Sequence, residues 1–137
     1  MKKNRSIATI ILGLALLVTV QSCQKYTEGP TFSLRSRSER VANTWKVDNY
    51  KINSTDFTSL VTNYTETYTK DGSYSNNWGN KNEAGLWSFQ NNATEIQVSN
   101  KDTEDIRTQV ILKLEEKGIW YYYMKGNDKH EFHMIPK

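Results

Sequence analysis

The chain has 137 residues but only one cysteine and two prolines. One cysteine closes no internal disulfide, so nothing in the fold rests on cross-linking. An excess of one charge is missing too. Lys2, Lys3 and Arg5 fall in a stretch with no acid, and from Cys23 onward basic and acidic residues are equal in number. A chain without net field has little means of releasing counterions from a phosphate backbone, so no nucleic-acid partner is expected. The length suits one domain, which excludes a multidomain enzyme. Alanine is scarce, and no window shows a sustained helical stripe.

What is present begins with an address. Met1–Ser6 is basic and polar, and Ile7–Val20 is an apolar run broken by Thr and one Gly. As a helix that run spans about 21 Å against a hydrocarbon core of about 30 Å, too short for a permanent span and suited to a signal peptide over 1–22. Val20-Gln21-Ser22-Cys23 resembles the lipobox of bacterial lipoproteins: an aliphatic residue, a small residue before the cysteine, and the Cys23 thiol that receives lipid. The resemblance implies lipidation of Cys23 and a membrane partner through that anchor. Each buried methylene of an acyl chain contributes about 0.8 kcal/mol, enough for two or three chains to hold a small domain on a bilayer. Gln24, where an inner-membrane retention signal has Asp, points to the outer membrane. Gln24, Lys25 and Glu28 loosely resemble a surface-export signal, which leaves both the periplasmic face and the cell surface open.

Residues 23–40 lack an apolar period and contain Gly29-Pro30, so they read as lipidated cysteine plus flexible tether. Arg35, Arg37 and Arg40 alternate with polar residues there, fitting either anionic headgroups or a solvated linker end.

From Val41 to Lys137 the period is two, β-branched and aromatic residues dominate, and Asn, Asp and Gly punctuate. Strands are expected over 42–52, 62–70, 73–79, 84–90, 94–99, 106–116, 118–125 and 129–135. Asp71-Gly72, Asn91-Asn92, Lys117-Gly118 and Gly126-Asn127-Asp128 suit tight turns. Asn53-Ser54-Thr55-Asp56 is placed to cap one helical turn over Phe57–Leu60. Eight short-linked strands form a meander, and the fold class expected is all-β, an up-and-down eight-stranded barrel. An antiparallel β-sandwich is the alternative. The inward set expected is Trp45, Val47, Trp87, Phe89, Ile96, Val98, Ile106, Val110, Leu112, Leu114, Trp120, Tyr122, Met124, Phe132 and Met134.

Asn43-Thr44-Trp45-Lys46-Val47, Lys70-Asp71-Gly72-Ser73-Tyr74, Gly85-Leu86-Trp87-Ser88-Phe89 and Ile111-Leu112-Lys113-Leu114 before Trp120 resemble the short lipocalin-like lipoproteins of Gram-negative bacteria. The resemblance spans 41–137, with Asn43-Thr44-Trp45 where the lipocalin signature has Gly-x-Trp. It implies a small lipocalin-like barrel on a lipid anchor and brings no catalytic residues and no cofactor.

His130-Glu131-Phe132-His133 is not a metal motif on a strand, because residues three apart point to opposite faces. Glu66, Glu83, Glu95 and Glu131 are the carboxylates whose convergence would suit glycosidic chemistry. For ligand binding the candidates are Trp78, in the polar run 76–80, with Tyr68, Tyr74, Tyr122 and His130. Two functions compete: a module holding a small apolar or amphipathic ligand at an open end, and a non-enzymatic protein with a filled barrel that contacts an envelope protein. In either case Cys23→Ala should leave uncleaved precursor or release the protein from membranes, read by fractionation; normal processing and membrane recovery contradict the anchor.

Overall fold

A computed structural model describes residues 25–30 and 32–137; the expected signal, Cys23 and Gln24 lie outside the described residues. The strands are β1 (Asn43–Ile52), β2 (Thr55–Asp56), β3 (Tyr64–Tyr68), β4 (Ser73–Trp78), β5 (Lys81–Gln90), β6 (Glu95–Asn100), β7 (Ile106–Glu115), β8 (Gly118–Lys125) and β9 (Asp128–Pro136). β1 and then β3 to β9 pair antiparallel in chain order, and β1 closes on β9 from Trp45↔Pro136 to Ile52↔His130. The result is the expected closed, eight-stranded, up-and-down barrel, in which every stave has two partners. The two-residue β2 is an extra flap that pairs only with the end of β1. A single 3₁₀ turn, Thr58–Leu60, follows it, and Asp56 Oδ1 accepts from the Thr58 N–H at 2.8 Å.

The two ends of the barrel differ. At one end the hairpins 69–72, 91–94 and 116–117 meet the chain that enters β1. There Tyr26 is buried, the Glu28 N–H donates to Leu112 O at 2.8 Å, and the Leu114 N–H donates to Gly29 O at 3.1 Å. Helix α1 (Arg37–Val41), whose first turn is held by a reciprocal Ser36–Glu39 capping box, packs beside them. Arg40 is buried and its Nη1 donates to Leu114 O at 2.6 Å, so it is not available to headgroups. Much of the segment read as a tether is therefore the plug of this closed end. Proline and glycine content signals a break in regular structure but says nothing of docking, which Tyr26 and Arg40 supply. The opposite end, bounded by 53–63, 79–80, 101–105 and 126–127, is covered on one side, where the 53–63 link tucks Val61 and Phe57 against the core, and open beside Glu83, Asn100 and Ile106.

Trp45, Ile96, Leu114, Ile119, Tyr121 and Met134 are fully buried, with Tyr68, Trp87, Val98 and Phe132 nearly so. Trp45 Nε1 donates to Val41 O and Trp87 Nε1 to Thr69 O, so both indoles bury their rings without stranding a donor. The inward set holds for Trp45, Trp87, Ile96, Val98, Leu114, Phe132 and Met134, while Val47 and Phe89 are half-buried.

Two strands correct it. On β7, Arg107, Gln109 and Ile111 point in, whereas Ile106, Val110 and Leu112 do not; a bulge between Ile111 and Lys113 restores Leu114 to the core. On β8, Ile119, Tyr121 and Tyr123 point in, whereas Trp120, Tyr122 and Met124 do not. The outer face of β8 is occupied as well: Trp120 stacks on His133 at 4.0 Å, with Lys113 Nζ 4.5 Å from its ring centre. Both faces of β8 carry three large apolar or aromatic side chains, so alternation alone could not choose between them.

Gly85 sets one joint. It pairs with Asn100 where β5 bends onto β6, and a Cβ there would lie 1.7 Å from Ser99 O. We expect Gly85→Ala to lower the urea midpoint, with a loss of unfolding free energy in the upper part of the about 1–3 kcal/mol typical of overpacking, or more. A Cβ on Gly118 meets nothing nearer than 3.9 Å, so Gly118→Ala should be neutral or stabilising by about 0.4–1 kcal/mol. Equal midpoints for the two variants contradict this placement of β5.

Candidate functional site

The interior toward the open end is polar, and it is organised around one carboxylate. Tyr64, Glu66 and Tyr68 alternate inward on β3, and Glu66 is fully buried. Its Oε1 accepts from Tyr64 at 2.6 Å, Tyr74 at 2.9 Å and Arg107 Nη2 at 2.7 Å, while its Oε2 accepts from Tyr68 at 2.8 Å and Tyr121 at 2.9 Å. The donors come from β3, β4, β7 and β8, so one side chain ties together four staves. Burying a carboxylate costs several kcal/mol, and hydrogen bonds to a charged group each return about 1.5–3 kcal/mol, so five of them make the burial sustainable.

Arg107 feels both sides of this balance. Burial opposes its charge, but the Glu66 carboxylate and the tyrosine oxygens of the cluster overcome that and hold the guanidinium well above its ordinary value. Burial first, and the Glu66 charge second, push the hydroxyls of Tyr64, Tyr68, Tyr74 and Tyr121 above theirs. Gln109 Oε1 stands 3.0 Å from the Tyr68 oxygen, but the single hydroxyl proton serves Glu66, and Gln109 Nε2 is buried without a partner.

Over the carboxylate lies a stack. The Arg107 guanidinium sits 4.9 Å from the Tyr123 ring centre and 6.0 Å from that of Tyr74; Tyr123 lies parallel to His130 at 5.1 Å. His130 Nδ1 is 2.7 Å from the Tyr50 hydroxyl, and burial is the largest influence holding the imidazole below its usual value.

Above the stack the wall opens. The β7–β8 ladder ends at Val110↔Tyr122, while β7 stays on β6 as far as Ile106↔Ser99 and β8 stays on β9 as far as Lys125↔Asp128. Residues 106–109 and 123–125 therefore border a gap that is continuous with the open end. Together they form a cleft of about 860 Å³ whose lining includes Tyr74, Asn76, Glu83, Asn100, Arg107 and Tyr123. Asn76 Nδ2 donates to Glu83 Oε2 at 3.0 Å and to the Tyr74 oxygen at 3.3 Å, linking the wall to the carboxylate beneath. The Arg107 Nε is buried and has no partner among the described residues.

The expected binding residues part company here. Tyr74 lines the cleft and also donates to Glu66. Tyr68 is buried below it. Tyr122 borders the cleft with its strand but turns its ring outward, where Lys129 Nζ lies 4.6 Å from the ring centre. His130 supports Tyr123 from behind and does not line the cleft. Trp78 stands half-exposed at the rim, in a separate depression of about 410 Å³ with Leu60 and Lys81.

The four carboxylates do not gather at one place, although Glu66 and Glu83 are linked through Tyr74 and Asn76. Glu66 is interior, Glu83 is at the cleft, Glu95 pairs with Gln90 near the closed end, and Glu131 bonds Lys129 and His133. Arg107, Gln109, Tyr121 and Tyr123 were missed as inward residues, although Tyr-x-Glu-x-Tyr on β3 is a legible sign that buried hydroxyls surround an acid. Comparison with family models finds no match for this chain, and comparison with curated proteins finds none either.

Removing one partner of a buried ion pair strands the other, so Glu66→Gln should cost about 3–5 kcal/mol in denaturant unfolding. The double variant Glu66→Gln with Arg107→Met should cost clearly less than the two single losses added. Strict additivity would show that the pair is not coupled.

Proposed function

We propose that the protein is a lipid-anchored envelope lipoprotein of the outer membrane, held through Cys23, whose barrel binds a small amphipathic ligand at its open end. The observation that carries the binding reading is the cleft of about 860 Å³, within the about 300–1,000 Å³ usual for small-molecule sites, above an interior packed with side chains. Its chemistry is mixed. Val98 and the Tyr123 ring offer apolar surface, and Asn76, Asn100 and the exposed quarter of the Arg107 side chain offer polar surface to orient one end of a ligand. A purely apolar ligand fits this cleft poorly, because it would cover Asn76, Glu83 and Asn100 without bonding them. The anchor reading rests on the sequence alone, on the lone cysteine that follows the only long apolar run.

A second reading draws on the gap. Backbone groups alternate in direction along a strand. The Ile111 N–H donates to Thr94 O on the β6 side, so Ile106 and Thr108 turn their N–H and C=O toward the gap. Exposed Ile106 and Met124 flank it. An extended segment of an envelope protein adding a strand there is the interaction-protein alternative.

Native mass spectrometry of the protein extracted from its own envelope separates the two. The ligand reading expects an adduct of small-molecule mass that Glu83→Trp, an exposed wall position, abolishes with little change in melting. Wild-type protein free of any adduct contradicts it and shifts the weight to strand addition.

A further inference from the structure

The closed end of the barrel gathers three features that the cleft does not use. The first is the way the chain leaves. Lys25 Nζ donates to the Asn92 carbonyl, Tyr26 donates to Ala93 O at 3.0 Å, and Glu28 and Gly29 are bonded to β7, so the chain is pinned to the β5–β6 hairpin from Lys25 onward. Cys23 precedes Lys25 by two residues, which reach only about 7 Å when fully extended.

The second is a pair of apolar side chains with nothing over them. Phe32 is 79% and Leu34 92% exposed, two positions apart on the segment that leads from this pinned stretch into α1. Exposed apolar residues scattered singly are ordinary. These two lie close together on one short segment at the end from which the chain leaves for Cys23. The third is charge: residues 32–38 hold Arg35 and Arg37 and no acid. Arg35 makes a half-exposed ion pair with Glu116 at 2.9 Å, a contact worth about 0–1 kcal/mol and easily exchanged for a phosphate.

We propose that this closed end is the surface on which the protein lies against an anionic bilayer. Phe32 and Leu34 enter the boundary between headgroups and acyl chains, and Arg35 and Arg37 sit among the phosphates. The cleft then opens away from the membrane. The proposal rests on the lipid anchor at Cys23, because a link of about 7 Å leaves the closed end no room to stand clear of the surface. Shallow insertion of aromatic and aliphatic side chains, with guanidinium groups at headgroup level, is how interfacial segments bind, each basic residue near an anionic surface adding about 1 kcal/mol. Arg40 takes no part, being spent on Leu114 O.

The test uses the full, processed protein in vesicles of phosphatidylethanolamine and phosphatidylglycerol, with a nitroxide on one introduced cysteine. Leu34→Cys marks the closed end, and Asn127→Cys, in the exposed β8–β9 hairpin, marks the other. The Cys23 thiol is consumed by lipid, so each label is unique, and the intact mass reports that lipid separately. The expected result is a reversal: the label at 34 collides with dissolved oxygen in preference to a water-soluble nickel chelate, and the label at 127 does the opposite. A lipidated protein whose label at 34 collides with the chelate overturns the orientation while leaving the anchor intact. A label at 34 shielded from both reagents also overturns it, in favour of contact with protein. An unmodified Cys23 overturns the anchor and this orientation with it.

Discussion

The fully buried carboxylate of Glu66 is the constraint from which the rest of the upper barrel follows. It takes five donors to keep it there, and these fix which face of each neighbouring strand points inward. Arg107 must be inside, so β7 turns Ile106 and Val110 out; Tyr121 must be inside, so β8 turns Trp120 and Tyr122 out. Apolar burial alone would have been served by either register. The bonds of one acid decide it, and a slip by one residue would break them.

The same constraint divides the interior into two storeys. Near the closed end Trp45, Leu114, Ile119 and Met134 make an apolar floor, sealed by Tyr26, Val41 and α1. Toward the open end the tyrosines, Gln109 and Arg107 replace them, and the guanidinium caught between Tyr74 and Tyr123 becomes the base of the cleft. A cluster that must stay fully bonded is stiff. The proposed site is therefore a rigid polar base under a wall whose β7–β8 ladder has stopped.

Strand number, strand order and closure were legible in the sequence because they depend on short links and period-two patterning, and each of the eight expected strands is a stave. The faces of β1, β5, β6 and β9 were legible where one side was plainly apolar, as at Trp45, Trp87, Ile96 and Met134. The faces of β7 and β8 were not, since a hydrophobic count treats Arg107 and Gln109 as outward by default and cannot register a bulge after Ile111. The site suffered for the same reason. Tyr74 was chosen as an aromatic and lines the cleft, but Arg107 and Tyr123 are assembled by pairings distant in sequence. The docking of Tyr26 and Arg40 was hidden because a stretch with no period of its own borrows its order from the surface it plugs.

If one carboxylate organises this barrel, the hydroxyls that serve it must be unable to ionise while it stands. Burial and the Glu66 charge raise Tyr64, Tyr68, Tyr74 and Tyr121 well above the ordinary value of 10.0. A group whose folded value is raised contributes stability that is whole below its unfolded value, so the barrel should lose stability progressively as pH rises above about 10. The direct measurement is an ultraviolet titration of the protein's eight tyrosines, followed together with circular dichroism. The account predicts that Tyr64, Tyr68, Tyr74 and Tyr121 ionise only in a step well above pH 10 that coincides with loss of the β-sheet signal. Ionisation of all eight in one reversible step near pH 10, with the barrel still folded, would contradict it.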